Sequence, residues 1–270
     1  MRLPRTSHPQ ADPLAELVLG RGDYTAGGAR SVPFLDLDGA RRRRPLIFGE
    51  VSDRPDGYPD LLKEMFSGRQ SDPEEWAVMW KEIGADGIWL DLHGDDASIA
   101  ERISSRTRLP MAVTASPEIL AEICSIEDSV LILMGRNCNY RGAAGCHAVA
   151  VSGDSPDELA EHCLEAEEDG ITKIVIDLNS SHLKAGLGRS ISFAEDVRAR
   201  ALSGEMALRH PTIGNVTGCW KDGFSDAREA SMWEAEAALA AMLAGTDIVI
   251  VRGPGSADMA RVYGEELADL

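Results

Sequence analysis

At 270 residues and 44% hydrophobic content, the chain is long enough to bury a large core, as one α/β barrel or as two small domains. A formal net charge of -18 and a pI near 4.7 argue against a nucleic-acid backbone or an anionic membrane as partner; an acidic outer helix layer accounts for the charge. No apolar run reaches bilayer length and residues 1–12 lack the apolar centre of a signal peptide, so a cytoplasmic protein is expected. The five cysteines, Cys124, Cys138, Cys146, Cys163 and Cys219, form no C-x-x-C and match no iron-sulfur spacing. Free thiols follow, and any cluster would have to be carried by a partner.

In chain order, residues 1–40 read as an N-terminal extension with a β plug, and residues 41–270 as the main domain. Residues 14–20 and 31–37 are expected to pair as strands closing the bottom of a barrel. The arginines Arg41 to Arg44 lead straight into a core strand, so they read as a solvated loop. Residues 45–51 (PLIFGEV) form the first buried strand, with Glu50 near its end. The connection 52–70, with Pro55, Gly57 and Pro59, reads as a loop lining a mouth. A helix then opens on Asp72 as N-cap, with Pro73 at its first position and Glu75 closing a capping box. It turns Trp76, Val78 or Met79, Trp80 and Ile83 inward and stops at Gly84.

Further strands are predicted over 87–92, 111–114, 130–134, 148–151, 173–176, 211–216 and 248–251. Helices are predicted over 96–106, from Ser116-Pro117-Glu118, from Ser155-Pro156-Asp157-Glu158 to Gly170, and over 193–202, 227–244 and 257–267. The alanine-rich helix is expected to bury a stripe of Trp233, Ala237, Ala240 and Ala244. Residues 141–147 leave room for little more than one helical turn, which makes this crossover the weakest step of the pattern. Gly84-Ala85-Asp86, Gly170-Ile171-Thr172 and Gly245-Thr246-Asp247 each read as a helix end turning tightly into a strand. Eight strands, nearly all followed by a helix, predict an α/β protein, a (β/α)8 TIM barrel, with a doubly wound sheet as the alternative.

Such a barrel would line its mouth with Glu50, Asp91, His93, Thr114, Asn137, Asn139, Asp177, Asn179, Asn215 and Arg252. Asp91-x-His93 is the one metal-type pair, and no metal site is expected. Glu50 with Asp91 or Asp177 could supply two glycosidase carboxylates, but few aromatics accompany them. No nucleophile with its base is visible, and Cys138 and Cys219 read as small fillers. Gly214-Asn215-Val216-Thr217-Gly218 and Arg252-Gly253-Pro254-Gly255-Ser256 stand where barrels bind phosphate, or serve only tight turns. The row of amides around Asp177 suits a pterin or the amide fringe of a corrinoid, or is a set of ordinary Asx turns.

An ordered set of segments resembles a known family. Val32-Pro33-Phe34-Leu35, the strand 45–51 with its Pro/Gly loop, Asp72-Pro73-Glu74-Glu75-Trp76-Ala77 and Gly84-Ala85-Asp86 open the set. It continues through Asn139-Tyr140, Asp177 with its glycine-bearing loop, Arg198-Ala199-Arg200-Ala201-Leu202 and Asn215-Val216. The most specific match is Trp233-Glu234-Ala235 through Leu243-Ala244-Gly245-Thr246-Asp247-Ile248 into Arg252. Together these resemble the delta (small) subunit of the corrinoid iron-sulfur protein, part of the carbon monoxide dehydrogenase/acetyl-CoA synthase system.

The resemblance covers most of the chain from Val32 onward. It implies a TIM barrel related to pterin-binding methyltransferases, paired with a large subunit that carries an iron-sulfur cluster and a corrinoid. In that arrangement the barrel caps the corrinoid, whose cobalt takes a methyl group from a methyl-tetrahydropterin and passes it to acetyl-CoA synthase. Carried over by position, the cofactor-binding residues are Asn137, Asn139, Tyr140, Asp177, Asn179 and Asn215; the chain's own mouth pattern adds Arg252. A methyltransferase and acetyl-CoA synthase are the further partners implied.

The chain departs from the family in a shortened region between the fourth and fifth strands, in the loop after Asp177, and in Gly253 where a histidine is expected. Asp91-Leu92-His93-Gly94-Asp95-Asp96 lacks the last glycine of D-x-H-x-x-G, so the cobalt's lower ligand is expected from elsewhere. Two further readings stay open: a free-standing pterin-binding methyltransferase using Asp91, Asn137, Asp177 and Asn215, and a phosphate-binding barrel enzyme using Arg252.

Overall fold

The structure, a computed structural model, describes residues 13–31, 43–135, 146–178 and 183–269. Its core is a ring of parallel strands: β3 (Leu46–Ser52), β4 (Gly87–Asp91), β5 (Met111–Ala115), β6 (Ile132–Gly135), β7 (Ala148–Ser152), β8 (Ile174–Asp177), β9 (Thr212–Asn215) and β10 (Ile248–Val251). Each pairs with the next, and β10 pairs back onto β3 through Ile248 with Leu46 and Val251 with Gly49, so the barrel closes with no free edge. The expected TIM barrel is the fold.

The strands are apolar on both faces because both are covered. Phe48, Trp89, Ala112, Ile132, Ala150, Val175, Ile213 and Ile250 fill the lumen. Alternate residues such as Ile47, Ile88, Val113 and Val249 pack outward against the helices. Gly49 shows how close that packing comes. A Cβ there would lie 2.1 Å from the ring of Trp80, whose indole donates to the Glu50 carbonyl at 2.7 Å.

The helical layer comprises α1 (Asp60–Met65), α2 (Pro73–Glu82), α3 (Ser98–Thr107), α4 (Pro117–Ile123), α5 (Pro156–Glu168), α6 (Leu183–Leu202), α7 (Ala227–Leu243) and α8 (Pro254–Asp269). Asp72, Ser116 and Ser155 cap α2, α4 and α5 as read from sequence. The capping box is half formed: Asp72 accepts from the amides of Glu74 and Glu75, while the Glu75 carboxylate pairs with Arg106.

Four expectations are corrected. The connection 52–70 is not all loop, since α1 buries Leu62 and is followed by the buried Phe66. Helix α6 starts ten residues before 193 and is interrupted at Gly186, whose φ of 114° only glycine adopts without strain. Of the stripe expected on α7, Ala237 and the adjoining Ala244 are buried, but Trp233 is 43% exposed, and Ala230, Glu234, Ala238 and Ala241 are buried instead; the helix is rotated to carry Glu234 inward.

The fourth correction concerns the N-terminal hairpin. Strand β1 (Glu16–Leu19) pairs antiparallel with β2 (Tyr24–Gly27), a strand not predicted; residues 32–37 of the expected partner lie outside the described residues. Gly20 and Gly22 make a return four residues long that brings β2 back onto β1. The hairpin joins Leu17, Leu19 and Ala26 to the lumen cluster and touches Pro110, Val130 and Pro211, each just ahead of a barrel strand. It therefore closes the amino-terminal end of the barrel and leaves the other end as the mouth.

Two of the glycine joints share an anchoring device at that closed end. Asp86 accepts from the Ile47 amide at 2.8 Å and from Arg44, and Asp247 accepts from the Thr212 amide at 2.8 Å and from Arg198. Arg198 is 2% exposed and also reaches Thr212 Oγ1 and the Gly245 carbonyl. Arg198→Met is expected to destabilise the fold by roughly 3 kcal/mol, because it strands a partly buried carboxylate. Urea denaturation of the two proteins measures the difference.

Candidate functional site at the barrel mouth

The strand register gathers one polar ring at the carboxyl ends. Ser52 on β3, Asp91 on β4 and Thr114 on β5 are aligned partners, as are Ser152 on β7 and Asp177 on β8. Asn215 on β9 aligns with Ile250, and Glu50 and Arg252 occupy the corresponding turns of β3 and the end of β10. All lie on the lumen face, two residues on from the apolar filling, or four in the case of Ser52, because side chains alternate along each strand.

Closure of the barrel decides what the strongest charges do. Glu50 is 1% exposed and forms a two-point pair with Arg252, through Nε and, at 2.8 Å, through the terminal nitrogen. Burial alone would lower the Arg252 pKa, but the adjacent Glu50 carboxylate outweighs it and holds the guanidinium charged. The guanidinium also stacks on Tyr58, 4.5 Å from the ring centroid. Burial first, and Glu50 second, push the Tyr58 phenol up, so it stays protonated.

The second buried acid is Glu234, on α7, at 0% exposure. Its two oxygens accept from the backbone amides of Arg252 and Gly253, each at 2.8 Å. Those are the amides that a bound phosphate would use at the start of α8. The chain's own carboxylate therefore occupies this nest, and Glu50 takes the Arg252 side chain. A side chain at position 253 is excluded, since a Cβ would come within 2.6 Å of the Trp220 ring.

The remaining described members divide among smaller roles. His93 meets Asp91 at 3.0 Å, and Asp53 holds the loop behind it by accepting from the amides of His93 and Gly94. Thr114 accepts from the Trp89 indole at 2.8 Å, and Ser52 bonds the Asp91 carbonyl. Asn215 uses its Oδ1 to accept from the Thr217 amide, an Asx turn, which leaves its NH2 as the group able to reach a ligand. Asp177 is half-buried at the end of β8. Asn137, Asn139, Tyr140 and Asn179, with Cys138, lie outside the described residues.

Sequence reasoning did not single out Ser52, Asp53, Tyr58, Ser152 or Glu234. Two serines at strand ends and an acid in an alanine-rich helix look like solvent-facing residues. Glu234 did lie inside the most specific segment of the family resemblance, the one signal that marked it. Among the described residues no three metal-ligating side chains converge, and Cys124, Cys146, Cys163 and Cys219 are not joined in disulfides. Burial pushes the Cys163 thiol up to about 12, so it is inert. His147 is buried, and burial lowers its pKa; its ring accepts from the Leu131 amide at 3.3 Å, a structural role.

Glu50→Leu is expected to cost roughly 3–5 kcal/mol by leaving Arg252 unpaired, whereas Glu50→Leu with Arg252→Met recovers most of that loss. A double-mutant cycle in urea measures both. Burial raises the Glu234 pKa above the ordinary 4.5, so in this group's contribution the native state loses stability as pH rises from there. Glu234→Gln should lack that dependence, and its stability relative to the parent should improve between acid and neutral pH. Urea midpoints recorded across that range test the sign.

No protein-family model matches the chain. It is 26% identical to the acetyl-CoA decarbonylase/synthase complex subunit delta of Methanothermobacter thermautotrophicus, over 93% of this chain and 75% of that protein. It is 24% identical to the subunit of the same name from Archaeoglobus fulgidus, over 87% of this chain and 62% of that one, so it spans less than two thirds of this second relative. Among solved structures it is similar to dihydropteroate synthase from Thermus thermophilus, with a TM-score of 0.63 at 17% identity over 93% of this chain and 99% of the enzyme. A dihydropteroate synthase from Coxiella burnetii in complex with pteroic acid gives a TM-score of 0.62 at 13% identity, over 94% and 98% of the two chains. At such identities the structural likeness establishes the fold alone.

Proposed function

From a chain homologous over most of its length to acetyl-CoA decarbonylase/synthase delta subunits, we propose a barrel subunit that caps a corrinoid held by a partner. The cap serves while a methyl group passes from a methyl-tetrahydropterin toward acetyl-CoA synthase. The partner in this reading is a larger subunit bearing the corrinoid and an iron-sulfur cluster.

The observation that carries the reading is the state of the charges at the mouth. Glu50 and Arg252 neutralise each other, Glu234 is consumed by backbone amides, and His93 is engaged by Asp91. Beside them the rim carries hydrogen-bonding side chains, the Asn215 amide and Thr114, with Ser152 and Asp177 aligned on neighbouring strands. This donor and acceptor set fits the neutral amide fringe of a corrinoid or the edge of a pterin. The corrinoid would supply the methyl-accepting metal. The chain's part is to shape the cavity, hold the ligand's polar edge and exclude water.

A free-standing pterin-binding methyltransferase is the second reading, favoured by the likeness to a barrel solved with pteroic acid. The phosphate-enzyme reading loses support because both its amides and its arginine are already engaged.

Anaerobic purification of the native protein, with a visible spectrum and the masses of co-purifying chains, tests the capping role. A corrinoid spectrum accompanied by a larger iron-sulfur subunit is the expected result. Asn215→Ala should then weaken corrinoid retention by roughly tenfold, the loss of one or two hydrogen bonds. A colourless protein with no partner would overturn the proposal.

A further inference from the structure

A second concavity adjoins the mouth. The loops after β3 and β9 stand on either side of the end of β10, because the ring order is β9, β10, β3. Between them runs a half-open groove of about 400 Å³. Pro59 and Leu61 line one wall, Trp220 and Phe224 the other, and Arg252 lies in the floor. Arg252 is also the partner of Glu50, so the groove and the lumen share a residue.

Two features point to a ligand with an aromatic body and an acidic end. The walls are apolar and aromatic, which suits a flat ring. Lys221 lines the groove, is exposed, and has no carboxylate within ion-pair distance among the described residues, on a chain with net charge -18. The glycines leave the space open. A Cβ at Gly57 or at Gly223 would meet no atom within 4 Å.

We propose that this groove is a binding subsite for the aryl-carboxylate tail of a tetrahydropterin whose bicyclic head lies in the barrel mouth. The proposal rests on the pterin part of the reading above. The ring lies against Pro59, Leu61 and Phe224, and the acid pairs with Lys221.

Titration calorimetry with three probes decides it: 5-methyltetrahydrofolate as the whole ligand, 6-hydroxymethylpterin as the head and 4-aminobenzoylglutamate as the tail. The whole ligand should bind roughly tenfold or more tighter than the head, the combined size of an aromatic contact and an exposed ion pair. Gly57→Phe, which fills the groove from an open position, and Lys221→Ala should each bring the whole ligand toward the affinity of the head and leave head binding unchanged. Both positions are exposed, and circular dichroism checks the fold; should Gly57→Phe fail to fold, Lys221→Ala carries the test. Equal affinities of head and whole ligand, unaffected by either variant, would overturn the subsite while sparing pterin binding at the mouth. No binding of head or whole ligand would overturn the pterin reading and the subsite together, leaving corrinoid capping to stand on its own test.

Discussion

The pairing of β10 with β3 is the constraint on which the site depends. It brings the carboxyl end of the last strand beside that of the first, 202 residues apart in the chain, and so sets Arg252 against Glu50. A two-point pair in a buried position is costly to form and far costlier to break, so it ties the register of closure to one geometry. Tyr58 on the guanidinium extends the same tie to the loop after β3, and the Trp80 indole on the Glu50 carbonyl extends it to α2.

Glu234 does for the β10–α8 turn what the Arg252 pair does for the lumen. Helix α7 is rotated to deliver this carboxylate to two backbone amides that would otherwise be open to an anion. The result is a mouth in which Glu50, Arg252 and Glu234 are engaged by the chain itself. In the proposed capping role a ligand there would meet hydrogen-bonding groups and shape rather than a field. The closed end follows the same economy of parts: Asp86 and Asp247 each satisfy the first amides of a neighbouring strand and an arginine at once.

The strands and most helices were legible in sequence because their signals are local. Apolar runs of strand length, Asp72, Ser116 and Ser155 at helix starts, and the glycine joints each depend on a few adjacent residues. The failures were non-local. Short α1 sits in a stretch rich in Pro and Gly and is held by burial of Leu62; its stability comes from packing, not propensity. The stripe of α7 could not be read from alanine, which fits inside or outside. The short strand β2 was not read, because its pairing with β1 is set by the turn at Gly20 and Gly22.

The sequence alone determined the barrel, the order of its strands and several of the polar residues at their ends, among them Glu50, Asp91, Thr114, Asp177 and Asn215, since periodicity and capping are properties of neighbouring residues. It also carried the family likeness, as an ordered set of segments spread along the chain. Only the tertiary structure decided which of those polar residues are open to a ligand. Arg252 and the amide nest after it look like an anion site in sequence, yet Glu50 and Glu234, which engage them, lie 202 and 18 residues away. Pairing across a closed ring is a property of register and helix rotation, and no local pattern encodes it.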